Sequence, residues 1–424
     1  MRRRTVVALV GIAALAVSLV VVGVGGFAAG GSLTEVWISD TPRDNRVNHH
    51  AVGVGPGDDV IVAPVSEVPY SDAPITNRSC SLVRVHPDNG STVWRNGMPA
   101  DDCFTHALTQ PAIEDIDDDG RHEVVGSTTE EALVVHEATT GRETYRLPLV
   151  SYGYGRPTLA DFRPTAGTEI VTSDITGHVL AATAAGDELW RVSLNETFAQ
   201  QVSAYDQRVS VYDAPAVVDV DADDRREVVV GTSQVVAVIA GNGSVEYTAP
   251  VSADDIVVAQ ADSDPAREIV VAASGRVTAI DGGDGSREWE RSFSGMNRIR
   301  QTANPDGSGP TLYVGRVNGE VVALNAQTGE TEWKTTVATG EDATLPPPVV
   351  ADVTGDDSVE VITVTNSGRV AVLDAVSGEE LARYERSVPI WTVPTPADID
   401  DDGRAELLVR YGDGRVVALD YAGS

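Results

Sequence analysis

Val322-Ala-Leu-Asn-Ala-Gln-Thr-Gly-Glu-Thr-Glu-Trp333 reads as a strand, a tight turn and a second strand. Polar turn formers at Asn325 to Thr328 precede Gly329, the residue type that accepts positive φ without steric cost, and the flanking runs alternate apolar with polar. The phrase returns as Val372-Leu-Asp-Ala-Val-Ser-Gly-Glu-Glu-Leu-Ala-Arg-Tyr384 and as Ile280-Asp-Gly-Gly-Asp-Gly-Ser-Arg-Glu-Trp289, with weaker copies ending at Trp94, Tyr145, Trp190 and Tyr247. Self-similarity at a steady period marks a repeat architecture, in which each unit buries its apolar face only against its neighbours.

A second phrase precedes the first in each unit. It runs apolar, Asp-rich loop, Glu, β-branched strand, as in Ala112-Ile-Glu-Asp-Ile-Asp-Asp-Asp-Gly-Arg-His-Glu-Val-Val-Gly126 and Ala397-Asp-Ile-Asp-Asp-Asp-Gly-Arg-Ala-Glu-Leu-Leu-Val409. Other copies start near Asp161, Asp219, Gln260, Thr302 and Asp352. The two phrases together predict a four-stranded antiparallel blade. The outer-strand aromatics Trp37, Trp94, Tyr145, Trp190, Tyr247, Trp289, Trp333 and Tyr384 number eight, 42 to 57 residues apart, so eight blades are expected. The last unit, from Pro396, ends before any aromatic strand, whereas Leu33 to Ser39 carries an outer-strand phrase with no blade of its own. The termini should therefore share blade eight and remove the free edges of the ring. The expected fold class is all-β, an eight-bladed β-propeller over residues 32–424 behind an N-terminal segment of residues 1–31.

These residues resemble two overlapping families. The hairpin phrase resembles the quinoprotein-like propeller repeat of outer-membrane assembly propellers. The Asp-x-Asp-x-Asp-Gly-x-x-Glu loop is similar to the FG-GAP or VCBS repeat of integrin-like propellers. The resemblance implies the ring and leaves the ligand open, because propellers host many functions.

The Asp loops are the sharpest candidate sites. Asp115, Asp117, Asp119 and Glu123 fall at positions one, three, five and nine, with Gly120 at six and the Arg121 carbonyl at seven. Alternate side chains at that spacing can wrap hard oxygens around calcium, and glycine permits the sharp bend. Asp398, Asp400, Asp402, Gly403, Arg404 and Glu406 repeat the pattern. Blade four offers Asp219, Asp221, Asp223 and Glu227 with Asp224 instead of glycine, and blade seven offers Asp352, Asp356 and Glu360 with Thr354 at position three. Blade five begins with Gln260 before Asp262, Asp264 and Glu268, and blade three has Arg163 where a ligand should sit, so it is expected to be empty. The competing reading is that these aspartates cap turns by accepting backbone N–H bonds.

The chain carries 64 acidic against 31 basic residues, a formal charge of −33, with Lys334 its only lysine. Such self-repulsion is tolerated in strong salt, where the Debye length shrinks to about 3 Å, and the composition is that of a halophilic, haloarchaeal-type protein. No basic face outside the N-terminus is available for nucleic acid. Arg2, Arg3 and Arg4 precede an apolar run from Thr5 to Ala29, long enough to span a hydrocarbon core of about 30 Å. An anchor with the propeller outside is expected; Arg3-Arg4-Thr5-Val6-Val7 resembles a twin-arginine export motif, so secretion after cleavage stays open. For an exported chain, Cys80 and Cys103 read as one disulfide, and Asn77, Asn89, Asn195 and Asn242 head glycosylation sequons.

No catalytic constellation stands out. Carboxylates are too abundant to be diagnostic, and His49-His50 reads as two strand residues facing opposite ways. A quinone is not expected, because quinoprotein dehydrogenases carry a vicinal cysteine pair that this chain lacks, and the repeated aromatics have a packing role between blades. The sequence thus points to an envelope-anchored module that binds a protein or glycan partner and is stiffened by calcium. The alternative is a secreted polysaccharide lyase or hydrolase, for which the connections 64–80 and 192–211 should converge on a cleft of carboxylate and arginine.

Overall fold

The computed structural model describes residues 31–40, 50–67, 79–104, 106–163, 167–198, 209–340 and 343–423. Among them are eight antiparallel sheets. Blade two shows the plan: Ala112–Glu114 innermost, then Glu123–Thr128, Ala132–Glu137 and Glu143–Pro148 outermost. The second and third strands carry continuous apolar runs because both of their faces are covered, and the second is buried at every residue. Eight apolar clusters form the core, each drawing on two consecutive blades; one combines Ile170 and Leu180 of blade three with Val125 and Leu133 of blade two. The core is thus a ring of wedges, one between each pair of sheets.

Blade eight is completed from the other end of the chain. Ser32–Ile38 lies antiparallel to Val416–Ala422, with Leu33 opposite Tyr421 and Trp37 opposite Ala418, and a bulge falls between Glu35 and Trp37. Ser39 seals the joint, donating its N–H to the Val416 carbonyl (2.8 Å) while its hydroxyl accepts the Val416 N–H (3.0 Å). The strand Val416–Ala422 is thereby paired on both sides, and Ser32–Ile38 becomes the outer strand of the blade.

The outer-strand aromatics stitch each blade to the next. The indoles of Trp37, Trp94, Trp190, Trp289 and Trp333 donate to the carbonyls of Pro87, Ala138, Gly241, Ala326 and Ala375, each in or beside the following blade's hairpin turn, at 2.6 to 3.0 Å. The Tyr145 and Tyr247 hydroxyls do the same to Ala184 and Gly282, and Tyr384 donates to the Glu35 carboxylate. The hairpin glycine is needed twice over. Gly329 has φ 67°, and a Cβ there would lie 2.6 Å from the ring of Trp289.

Two features break the repeat. The inner strand of blade six is split into Asn297–Arg298 and Thr302–Ala303, and a short helix, Leu194–Phe198, follows blade three. Cys80 and Cys103, both fully buried, are joined as a disulfide with Cα atoms 5.4 Å apart. Among the described residues no helix is long and apolar enough to cross a membrane; the N-terminal run from Thr5 to Ala29 lies outside them.

Candidate functional site

Because strands alternate in direction, each Asp loop, joining an inner strand to the second, lies on the same ring face as the hairpins that join third to outer strands. In blade two Asp115 accepts the N–H groups of Asp119 (3.1 Å) and Gly120 (2.9 Å), and Asp119 accepts that of Arg121 (2.9 Å). Glu123 opens the second strand, is buried, and accepts the Ile116 N–H (3.1 Å). The same Glu bond staples the loops of blades three, four, five, seven and eight. Turn capping therefore operates, and it leaves carboxylate oxygens gathered together. Asp115, Asp117 and Glu123, then Asp219, Asp221 and Glu227, then Asp398, Asp400 and Glu406 each bring one oxygen within 4.8 Å of the others. Burial, opposed by the Glu123 bond to Ile116 and reinforced by the neighbouring aspartates, pushes the Glu123 carboxyl up to about 7, and Glu227 and Glu406 behave alike.

Asp224 adopts φ 69°, so blade four makes the bend of Gly120 and Gly403 without glycine. Asp119, Asp223 and Asp402 stand outside these three-oxygen groups, and Asp402 is turned to the Arg404 guanidinium, with Nε at 2.9 Å. In blade seven Asp352, Asp356 and Glu360 do not converge in this way; the Thr354 hydroxyl donates to Glu360 at 3.2 Å instead. Blade three puts a guanidinium within its loop. Arg163 Nε donates to Glu169 at 2.8 Å from the position that Asp117 holds in blade two. In blade five the Gln260 amide nitrogen donates to the carbonyls of Asp264 (2.6 Å) and Ala266 (3.2 Å), yet Asp262, Asp264 and Glu268 still converge. Asp281 and Glu288 join Asp264 in a further cluster, with Glu288 pushed up to about 7 by burial and by nearby acids. They belong to the hairpin phrase, so loop spacing gave no sign of them.

The opposite face holds a funnel of about 690 Å³ at the ring axis. Its wall is built from the segments that lead into successive inner strands. Tyr154 stacks edge-on against His50 and Tyr212, and His106, distant from His50 in sequence, joins the group at 5.4 Å from it. His49 lies outside the described residues. Arg298 pairs with Asp255 at 2.8 Å, and burial pushes that carboxyl up to about 7 against the pull of Arg298. Arg300 donates to the neutral Gln110 side chain (3.1 Å), and Arg156 stands beside it. Both long connections, 64–80 and 192–211, leave from this face; residues 68–78 and 199–208 within them lie outside the described residues. The funnel does contain the mixture of carboxylate and arginine expected above of the lyase or hydrolase alternative, and none of its arginines was singled out by sequence.

Of the sequons, Asn89 and Asn242 are exposed, each accepting an N–H two residues on (2.9 Å). Asn195 uses both ends of its amide internally, donating to Thr176 and accepting from Val209 (3.0 Å). Asn77 lies outside the described residues.

Residues 176–422 match the family model described as outer membrane protein assembly factor BamB. The chain belongs to that family. No curated protein matches it by sequence. Among solved structures, BamB from Moraxella catarrhalis is similar at 16% identity, covering 92% of this chain and 97% of its own, with a TM-score of 0.58. The V. cholerae biofilm matrix protein Bap1 aligns at 13% identity over 93% of this chain and 91% of its own, with a TM-score of 0.65. Quinohemoprotein alcohol dehydrogenase from Comamonas testosteroni aligns at 12% identity over 92% and 76%, with a TM-score of 0.64. At these identities the likeness is one of fold, and the propeller ring is what the three share with this chain.

Proposed function

We propose that this BamB-family propeller is a binding and scaffold module, held outside the cell by its N-terminal segment, that takes a protein partner of the envelope on the funnel face and performs no chemistry of its own. One observation carries the reading. Of the eight exposed large apolar side chains among the described residues, five, Phe104, Val150, Tyr152, Tyr212 and Met296, lie in connections between blades on the funnel side, while Val36 and Val93 lie in outer strands and Val376 in a hairpin turn on the other face. In a chain with 64 acidic residues, an apolar rim concentrated on one face is the mark of a protein contact. The family's description as an outer membrane protein assembly factor agrees with a protein partner.

Calcium belongs to the opposite face in this reading. Asp115, Asp117 and Glu123, with their counterparts in blades four and eight, would hold it, and the ion would neutralise carboxylates that burial leaves costly to charge. Arg163 and the Gln260 amide support this, since both put a positive or donor group where the loops of blades two and eight have only acid. The acid surface is read as an adaptation to strong salt.

The test is crosslinking of the full-length protein in its native membrane at high salt, beside a Val150→Glu, Tyr152→Glu variant. A defined envelope polypeptide should crosslink to the wild type and vanish in the variant at equal expression. Equal crosslinking of both would remove the rim as the docking surface.

A further inference from the structure

Arg156 makes no hydrogen bond and no ion pair among the described residues, and its Nε is wholly buried. Burial, helped by the like charge of Arg300, pulls its guanidinium down to about 10, against the opposing charge of Glu114. Arg300 has only the neutral Gln110 side chain as a partner. Two guanidinium groups without a carboxylate, facing one cavity, are anomalous in a chain with twice as many acids as bases. Elsewhere Arg146, Arg163, Arg369 and Arg386 each pair with Glu or Asp, and Arg84, Arg226 and Arg291 are met by backbone carbonyls; Arg156 has neither kind of partner among the described residues. A buried guanidinium left unpaired is unfavourable unless an oxyanion arrives to accept its fork of N–H groups.

The rest of the wall defines what the oxyanion is attached to. Tyr154 and Tyr212 present aromatic surface, and Gln301, Asn366 and Thr344 offer amides and a hydroxyl, while Gln110 is already bonded to Val52 and Arg300 and the carboxylates Glu114, Asp213 and Asp255 share the wall. A cavity of about 690 Å³ is far larger than an inorganic ion requires and lies within the range that holds a small organic ligand. Aromatic faces with many neutral donors and acceptors suit a hydroxylated ring. From this combination we infer that the funnel binds an acidic saccharide, with its oxyanion on Arg156 and Arg300 and its ring against Tyr154 and Tyr212. The break in the inner strand of blade six makes the site possible. Residues 299–301 leave the ladder there, and Arg300 and Gln301 line the funnel. The inference shares Tyr212 with the apolar rim and nothing with calcium; its test rests on Arg156 and Arg300, which lie outside the rim, so it survives or fails separately from the protein-partner reading.

The experiment titrates the full-length protein in detergent, at fixed ionic strength, with trigalacturonate, neutral galactotriose, inorganic sulfate and pyrroloquinoline quinone. Calorimetry reads the affinity. Trigalacturonate should bind one per chain, with the neutral trimer and sulfate each at least about tenfold weaker. Arg156→Gln and Arg300→Gln should each weaken trigalacturonate at least about tenfold and leave the weak neutral binding unchanged. Arg287→Gln, in the hairpin phrase on the other face, should change nothing. Arg156→Gln should also melt no lower than the wild type without ligand, because it removes an unpaired buried charge; this separates a lost site from a lost fold. Equal affinity for charged and neutral trimers, or full affinity in both arginine variants, would overturn the inference. So would tight, stoichiometric quinone that survives gel filtration when trigalacturonate does not bind.

Discussion

His136 sits on the third strand of blade two, buried, with Glu143 and Arg146 as its charged neighbours and Nδ1 lacking a hydrogen-bond partner among the described residues. Burial pulls its pKa below the ordinary 6.5. The unfolded chain therefore takes up this proton before the folded one, so the contribution is fully favourable above the unfolded value and is lost as pH falls below it. His136→Gln should lose less stability than the wild type as pH falls from about 7 to about 5. Chaotrope melts at both pH values test this, and parallel losses in the two proteins would show that His136 titrates freely when folded. At this scale the outer aromatics were legible, because a Trp or Tyr recurring at one strand position has a common structural cause. Arg156 and Arg300 were not. They stand on no repeated phrase, and what singles them out is missing partners, a property of space that no spacing in the chain displays.

Elements explain which Asp loops keep their acid together. The spacing of carboxylates was readable, and blades two, four and eight do gather an oxygen from positions one, three and nine. Blade four lacks the glycine, but an aspartate in the left-handed region serves at Asp224. Blade seven diverges because Thr354 answers Glu360 with a hydroxyl, a local choice that the one-letter pattern of the loop leaves open. Calcium at ten times its dissociation constant should raise stability by about 1.4 kcal/mol per site if only the native state binds it. Melting at fixed high salt with and without millimolar calcium measures this, and Asp117→Asn with Asp400→Asn should remove most of the gain. An undiminished gain in that double variant would reduce these loops to turn caps. The Cys80 to Cys103 bridge is a second element-scale staple, tying the third strand of blade one to the connection into blade two. Opening its loop, 23 residues in sequence separation, by Cys80→Ala with Cys103→Ala should cost about 3 kcal/mol in the chain-entropy description. A midpoint in guanidinium unchanged from the oxidised wild type would contradict that.

For the whole molecule the decisive contact is the one between the ends. A ring of blades stacked only on neighbours behaves as a linear array until its last member is joined to its first, and here the join is a single strand. Ser32–Ile38 brings Leu33 and Trp37 into the core, and the Trp37 indole reaches on to Pro87 of blade one while its ring covers Gly90. The strand thus fills the outer place of blade eight and spans to the blade that follows it. Deleting residues 32–39 from the full chain should expose Val416–Ala422 as an open edge and forfeit the burial of two large side chains, on the order of 5 kcal/mol. Trp37→Ala alone should account for roughly half of that, because the ladder to Val416–Ala422 is kept while the indole is lost. The two variants also separate in a second measurement. The deletion leaves unpaired backbone donors and acceptors and should self-associate with rising concentration in light scattering, whereas Trp37→Ala should stay unassociated to the same degree as the wild type. If the deletion unfolds at the wild-type midpoint and scatters no more, the ring is held by its seven other blade contacts and the shared blade is an ornament of the fold, not its lock.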